Sequence, residues 1–314
     1  MKKKISFLKL KWLLPLFAIA FAVSVPLRLY EYFSVLEPKT GFFTSINWAV
    51  YALYAVLIVY ALICCFISFF ASETVESKMP EGKNRLLGVV SFVFAAAFVV
   101  EAVLSISDFA EKLFGYYNGN QDISLWKYIT ASGYLPILIG IIFSLFSIIY
   151  FIVFGMSYFA GRNTFQDSKL LALSPMLWAV CRMITDLMRP INYAKVSELL
   201  IEMFAFVFLM LTFLSFARVS SQLSEKGEMR KLFAFGFTAS LLCLVCSVPR
   251  GVLVLIGQSA KLADDYKFDI TLFASSVFLT VFVAVEMYMG NKELPKEEEE
   301  QLEEEIIDDN FLSE

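Results

Sequence analysis

Eight stretches of this chain are each apolar for long enough to cross a lipid bilayer, and this limits the fold more than any motif does. They lie near 12–30, 46–70, 86–107, 134–160, 170–189, 196–217, 232–256 and 268–289. A hydrocarbon core of about 30 Å takes roughly 20 residues of α-helix to span. Inside lipid every backbone N–H and C=O needs an internal partner, a condition that only helices and closed barrels meet. None of the eight runs shows the two-residue alternation of a barrel strand. The sequence therefore predicts an all-α, polytopic membrane helix bundle of about eight transmembrane helices within residues 1–290. Composition agrees, since 59% of the residues are hydrophobic and only 18% charged, with a mean hydropathy of +0.69. A water-soluble domain carries charge on about a quarter of its positions.

The first run resembles a secretory signal, with Lys2, Lys3 and Lys4 ahead of it and Ala18-Ile19-Ala20 as a cleavage-like site. It continues, however, through Val25 to Arg28-Leu29-Tyr30, longer than a signal core, so it reads as a retained helix. Cleavage would leave seven spans in the same orientation. That orientation follows from the loops. With the N-terminus inside, sixteen lysines and arginines fall on inner loops and eight on outer ones, with Arg182 and Arg250 left within spans. Positive charge is retained on the cytoplasmic side. The expected topology is N-in, C-in, in the cell membrane if the source is bacterial.

After Asn291 the chain changes character. Residues 291–314 carry eleven acidic side chains and two lysines, a block that repels itself and predicts a disordered acidic cytoplasmic tail. Ile306, Ile307, Phe311 and Leu312 could anchor it to a basic cytosolic protein.

The chain has no histidine, which removes the usual general base and metal ligand and the Ser-His and Cys-His pairs. No Walker loop, H-E-x-x-H, G-x-S-x-G or G-x-G-x-x-G occurs. The five cysteines all sit in apolar runs and read as packing residues, including the Cys243/Cys246 C-x-x-C. No cofactor, metal or nucleic-acid partner is expected, and the reading leans away from an enzyme.

Ionisable groups deep in a span are costly and face a cavity or a partner. Arg28, near the end of the first span, can snorkel to the headgroups. Glu198 opens the sixth span, where the helix dipole favours it, and Glu286 lies within a turn of the inner end of the last. These three need no functional account on the sequence alone. Arg182 and Asp186 differ, because their i, i+4 spacing puts both on one face of the fifth span, extended outward by Arg189. Glu202 lies one turn from Glu198 on the neighbouring sixth span, which makes a pair between Arg182 and Glu202 reachable, and one between Asp186 and Arg189. Glu101 lies in the outer half of the third span, and Arg250, between Pro249 and Gly251, marks an expected helix break in the seventh.

Arg182, Asp186, Glu202, Glu101, Arg250 and Arg189 are accordingly the candidate ligand-binding residues. They predict a polar vestibule, open to the outside, that binds or transports a small polar or zwitterionic solute. The alternatives are a scaffold or sensor recruiting a cytosolic partner through residues 291–314, and an intramembrane lipid-acting enzyme using carboxylates such as Glu101, Asp186 and Glu202. A balanced set of ion pairs could also serve only to hold helices together.

Overall fold

A computed structural model of the chain describes residues 9–36, 47–71, 79, 82–119, 124–161, 168–188, 196–223, 227–259, 262 and 268–289. Arg189 and the acidic segment 291–314 lie outside the described residues. Within them the chain forms nine α-helices and no strand. These are α1 (Leu13–Tyr30), α2 (Trp48–Phe70), α3 (Arg85–Gly119), α4 (Leu125–Ala131), α5 (Leu135–Ala160), α6 (Ser174–Met188), α7 (Val196–Ser220), α8 (Glu228–Leu255) and α9 (Ile270–Met289). All but α4 are long and apolar enough to cross a membrane, α1 and α6 by including their flanking turns. The polytopic helical bundle expected from the apolar runs is the fold.

Two local features depart from the sequence reading. Helix α3 continues past residue 107 to Gly119, and α4 follows where a loop is expected. Hydropathy falls at Asp108, Glu111 and Lys112, yet these residues suit a helix, and Lys112 pairs with Asp108 one turn back at 2.6 Å. With a rise of 1.5 Å per residue, α3 is about 52 Å long, so its last turns stand clear of a bilayer core of about 30 Å. The second departure is α8, which runs through Pro249 without the expected break. A proline removes one helical hydrogen bond, but 89% of the apolar stretch of α8 is buried, and its neighbours α1, α2, α7 and α9 hold the helix on course.

Helices α8, α9, α3, α5, α6 and α7 touch in that order and close a ring, with the α1–α2 hairpin packed on the outer side of α8. Small residues let α3 and α5 approach closely. A Cβ on Gly155 of α5 would sit 3.2 Å from the Gly88 carbonyl oxygen of α3, the close approach that packs helices where lipid offers no hydrophobic drive. The ring is filled by phenylalanines. Phe94, Phe151, Phe154, Phe216, Phe278 and Phe282 are all fully buried, with Phe94 and Phe278 stacked at 4.9 Å and Phe216 and Phe282 edge-on at 5.1 Å. Offset and edge-to-face contacts are the favoured arrangements of such rings.

This aromatic layer divides the bundle. One end, where α3, α6 and α8 finish and α5, α7 and α9 start, holds the intramembrane arginines and most of the buried carboxylates. At the other end Arg218 and Lys231 flank Glu228 at 3.0 and 2.7 Å. There too, Arg230 donates to the Phe69 carbonyl at the C-terminus of α2 at 3.1 Å, a favourable place for a cation.

Candidate functional site

Among the described residues the charged end contains two ion-pair groups of different character. The first is sealed between α1, α7 and α8. Arg250 Nη2 on α8 lies 3.0 Å from Glu202 and 3.4 Å from Glu198, both on α7. Arg28 on α1 reaches Glu198 at 4.0 Å and pairs with Glu31 at 2.6 Å, and its guanidinium lies over the Tyr32 ring at 5.0 Å. Glu31 opens a π-helical turn, Glu31–Val35, that extends α1 and keeps Glu31 and Tyr32 buried in succession. None of the five charged residues in this group is more than 6% exposed. Charges so completely withdrawn from water need close partners, and breaking one pair leaves an uncompensated charge. The group ties three helices together and offers no opening.

The second group lies between α3, α6 and α9 and is open. Arg182 on α6 donates from Nη1 to Glu101 Oε1 at 2.7 Å and from Nη2 to Asp269 Oδ2 at 3.1 Å. Its Nε lies 3.9 Å from Asp186, one turn on. The Arg182 side chain keeps 25% of its surface exposed. Glu101 also accepts from Thr271 at 3.2 Å and from Ser105 at 3.4 Å. Asp269 has a second task. Its Oδ1 accepts the backbone N–H groups of Thr271 and Leu272 at 2.9 and 3.0 Å, capping α9. Three carboxyl groups thus surround one guanidinium, each fixed by a helix or a helix cap.

Above this group is a cavity of about 200 Å³ lined by Glu101, Ser105, Asp108, Arg182, Phe268 and Asp269. A smaller recess of about 50 Å³ beside it reaches down to Trp178 and Cys181. Trp178 forms the floor, because its ring stands edge-on to Phe98 at 4.9 Å and to Phe206 at 6.3 Å, the top of the aromatic layer. Among the described residues no cluster of three or more His, Cys, Asp or Glu side chains is arranged to hold a metal ion.

The six candidates from the sequence are therefore distributed unevenly. Arg182, Asp186 and Glu101 converge on the open group, whereas Glu202 and Arg250 belong to the sealed one. The expected pair between Arg182 and Glu202 does not form, since Arg182 turns to α3 and α9 while Glu202 is held by Arg250 from α8. Arg189 and its pairing with Asp186 fall outside the described residues. Arg28 does not snorkel. It is 3% exposed and paired, because Glu31 and Glu198 supply inside the bundle what headgroups would supply outside it. Glu198 uses two arginines, Arg250 and Arg28, as well as the helix dipole. Glu286, at the opposite end, is fully buried and accepts from the Tyr158 hydroxyl at 3.3 Å.

Asp269 and Glu31 are absent from the sequence reading. Asp269 carried one usable signal, an aspartate at the mouth of an apolar helical run, which is the signature of an N-cap. Its pairing with an arginine 87 positions away carried none. No protein-family model matches the chain, and neither a curated protein nor a solved structure does.

Proposed function

We propose that this multi-pass membrane protein binds a small polar solute bearing a positive charge in the vestibule above Arg182. The observation that carries this reading is the pair of carboxylates, Glu101 and Asp269, that share the guanidinium of Arg182 on the wall of a cavity of about 200 Å³. A cation entering there gains charge-assisted hydrogen bonds in surroundings less screened than water. The loop-charge bias supports placing the vestibule on the outer face, with both chain ends in the cytoplasm. Transport would be the stronger form of the same reading. It requires Trp178 and the phenylalanine layer to part, so binding is the reading favoured by this arrangement.

The test is thermal unfolding of purified protein with ethylamine, glycine or acetate added. Ethylamine is expected to raise the midpoint most, glycine less and acetate not at all, and Asp269→Asn to remove the ethylamine response. Equal responses to ethylamine and acetate, or none to either, would overturn the proposal.

A further inference from the structure

Next to the vestibule, on the far side of Phe268, lies a second cavity of about 380 Å³. Its walls are Val248, Gly251, Val252 and Leu255 of α8 with Phe268 and Phe273, and it presents no polar surface. Phe268 lines both cavities and immediately precedes Asp269, so the apolar groove and the carboxyl cluster share a wall one residue thick. Gly251 brings that wall close to α8, since a Cβ there would lie 3.1 Å from the Phe268 ring.

From this juxtaposition we infer that the ligand is a single-chain amphiphile with an ammonium head, the head seated in the vestibule and the alkyl chain in the groove between α8 and Phe268. The inference rests on the vestibule reading and adds the chain. The head follows from charge complementarity. A phosphate-bearing headgroup is disfavoured because the carboxylates of Glu101 and Asp269 line the cavity beside Arg182 and would repel it. The chain follows from the groove's place directly across Phe268 from the vestibule and from its wholly apolar lining. Lipid tails are as apolar as the groove, so the chain gains little by leaving them. Its role is delivery, since an amphiphile held in one leaflet brings its head to the vestibule at high effective concentration.

The experiment uses the full-length protein in detergent and a long-chain alkylammonium carrying a diazirine at the chain end. After irradiation, labelling is mapped by mass spectrometry, with ethylamine-induced thermal stabilisation measured in parallel. Labelling is expected to concentrate in 248–255 and 268–273, to be displaced by excess ethylamine, and to fall about tenfold or more in Asp269→Asn. In Val254→Trp, at a residue of α8 that also lines the groove, at its exposed edge, groove labelling is expected to fall while ethylamine still stabilises the protein. Labelling spread evenly over lipid-facing helices, indifferent to Asp269→Asn and to ethylamine, would overturn the inference. If ethylamine nonetheless stabilises the protein, the vestibule reading survives. If it does not, both fall.

Discussion

Arg182 on α6 grips the residue that caps α9: Nη2 lies 3.1 Å from Asp269 Oδ2 while Oδ1 of the same side chain holds the first turn of α9. The vestibule and the start of a membrane-spanning helix are thus one structure. Asparagine can keep the cap and lose the charge, whereas alanine loses both. Asp269→Ala is expected to be less stable than Asp269→Asn by about 1 kcal/mol, the typical worth of an N-cap. Unfolding midpoints of the two variants in one detergent check the order.

Exposure separates the ion pairs by importance. Arg250→Met leaves Glu198 and Glu202 buried with their common arginine gone, and is expected to cost about 3–5 kcal/mol. Lys112→Met breaks a pair on the surface of α3, where Asp108 keeps 54% of its side chain exposed, and should cost less than about 0.5 kcal/mol. Denaturant unfolding followed by tryptophan fluorescence distinguishes them.

The crossing of α3 and α5 depends on backbone meeting backbone. Gly155→Val places its side chain against the Gly88 carbonyl, which cannot yield, and is expected to destabilise by about 1–3 kcal/mol. Gly88→Ala meets first the Phe159 ring, 2.7 Å from the added carbon, and a ring can turn aside. The same unfolding measurement should find Gly88→Ala the milder change.

The sequence made the helices legible because the bilayer demands long apolar runs whatever the protein does. It was less informative where neighbouring helices decide. Nothing local to Arg182 selects Glu101 and Asp269 over Glu202; that choice is made by the closure of the ring, which turns Arg182 toward α3 and α9 while Arg250 of α8 holds Glu202 on the flanking α7. The i, i+4 placement of Arg182 and Asp186 was readable, being a property of one helix. Arg28 misled because a long cation near the end of a span usually reaches for headgroups, and only the fold brings Glu198 to it. Pro249 misled for a related reason, since packing on several sides keeps α8 continuous through a residue that would break an isolated helix.

Cation binding in an outward-facing vestibule is tested most directly by reaction of Ser105→Cys with a membrane-impermeant maleimide in sealed cells, with the parent chain as background. Ser105 lines the vestibule beside Glu101 and Arg182. Labelling from outside the cell is expected, and slower labelling when ethylamine is present. A cysteine that reacts only after the membrane is opened, or at a rate indifferent to ethylamine, would contradict such binding.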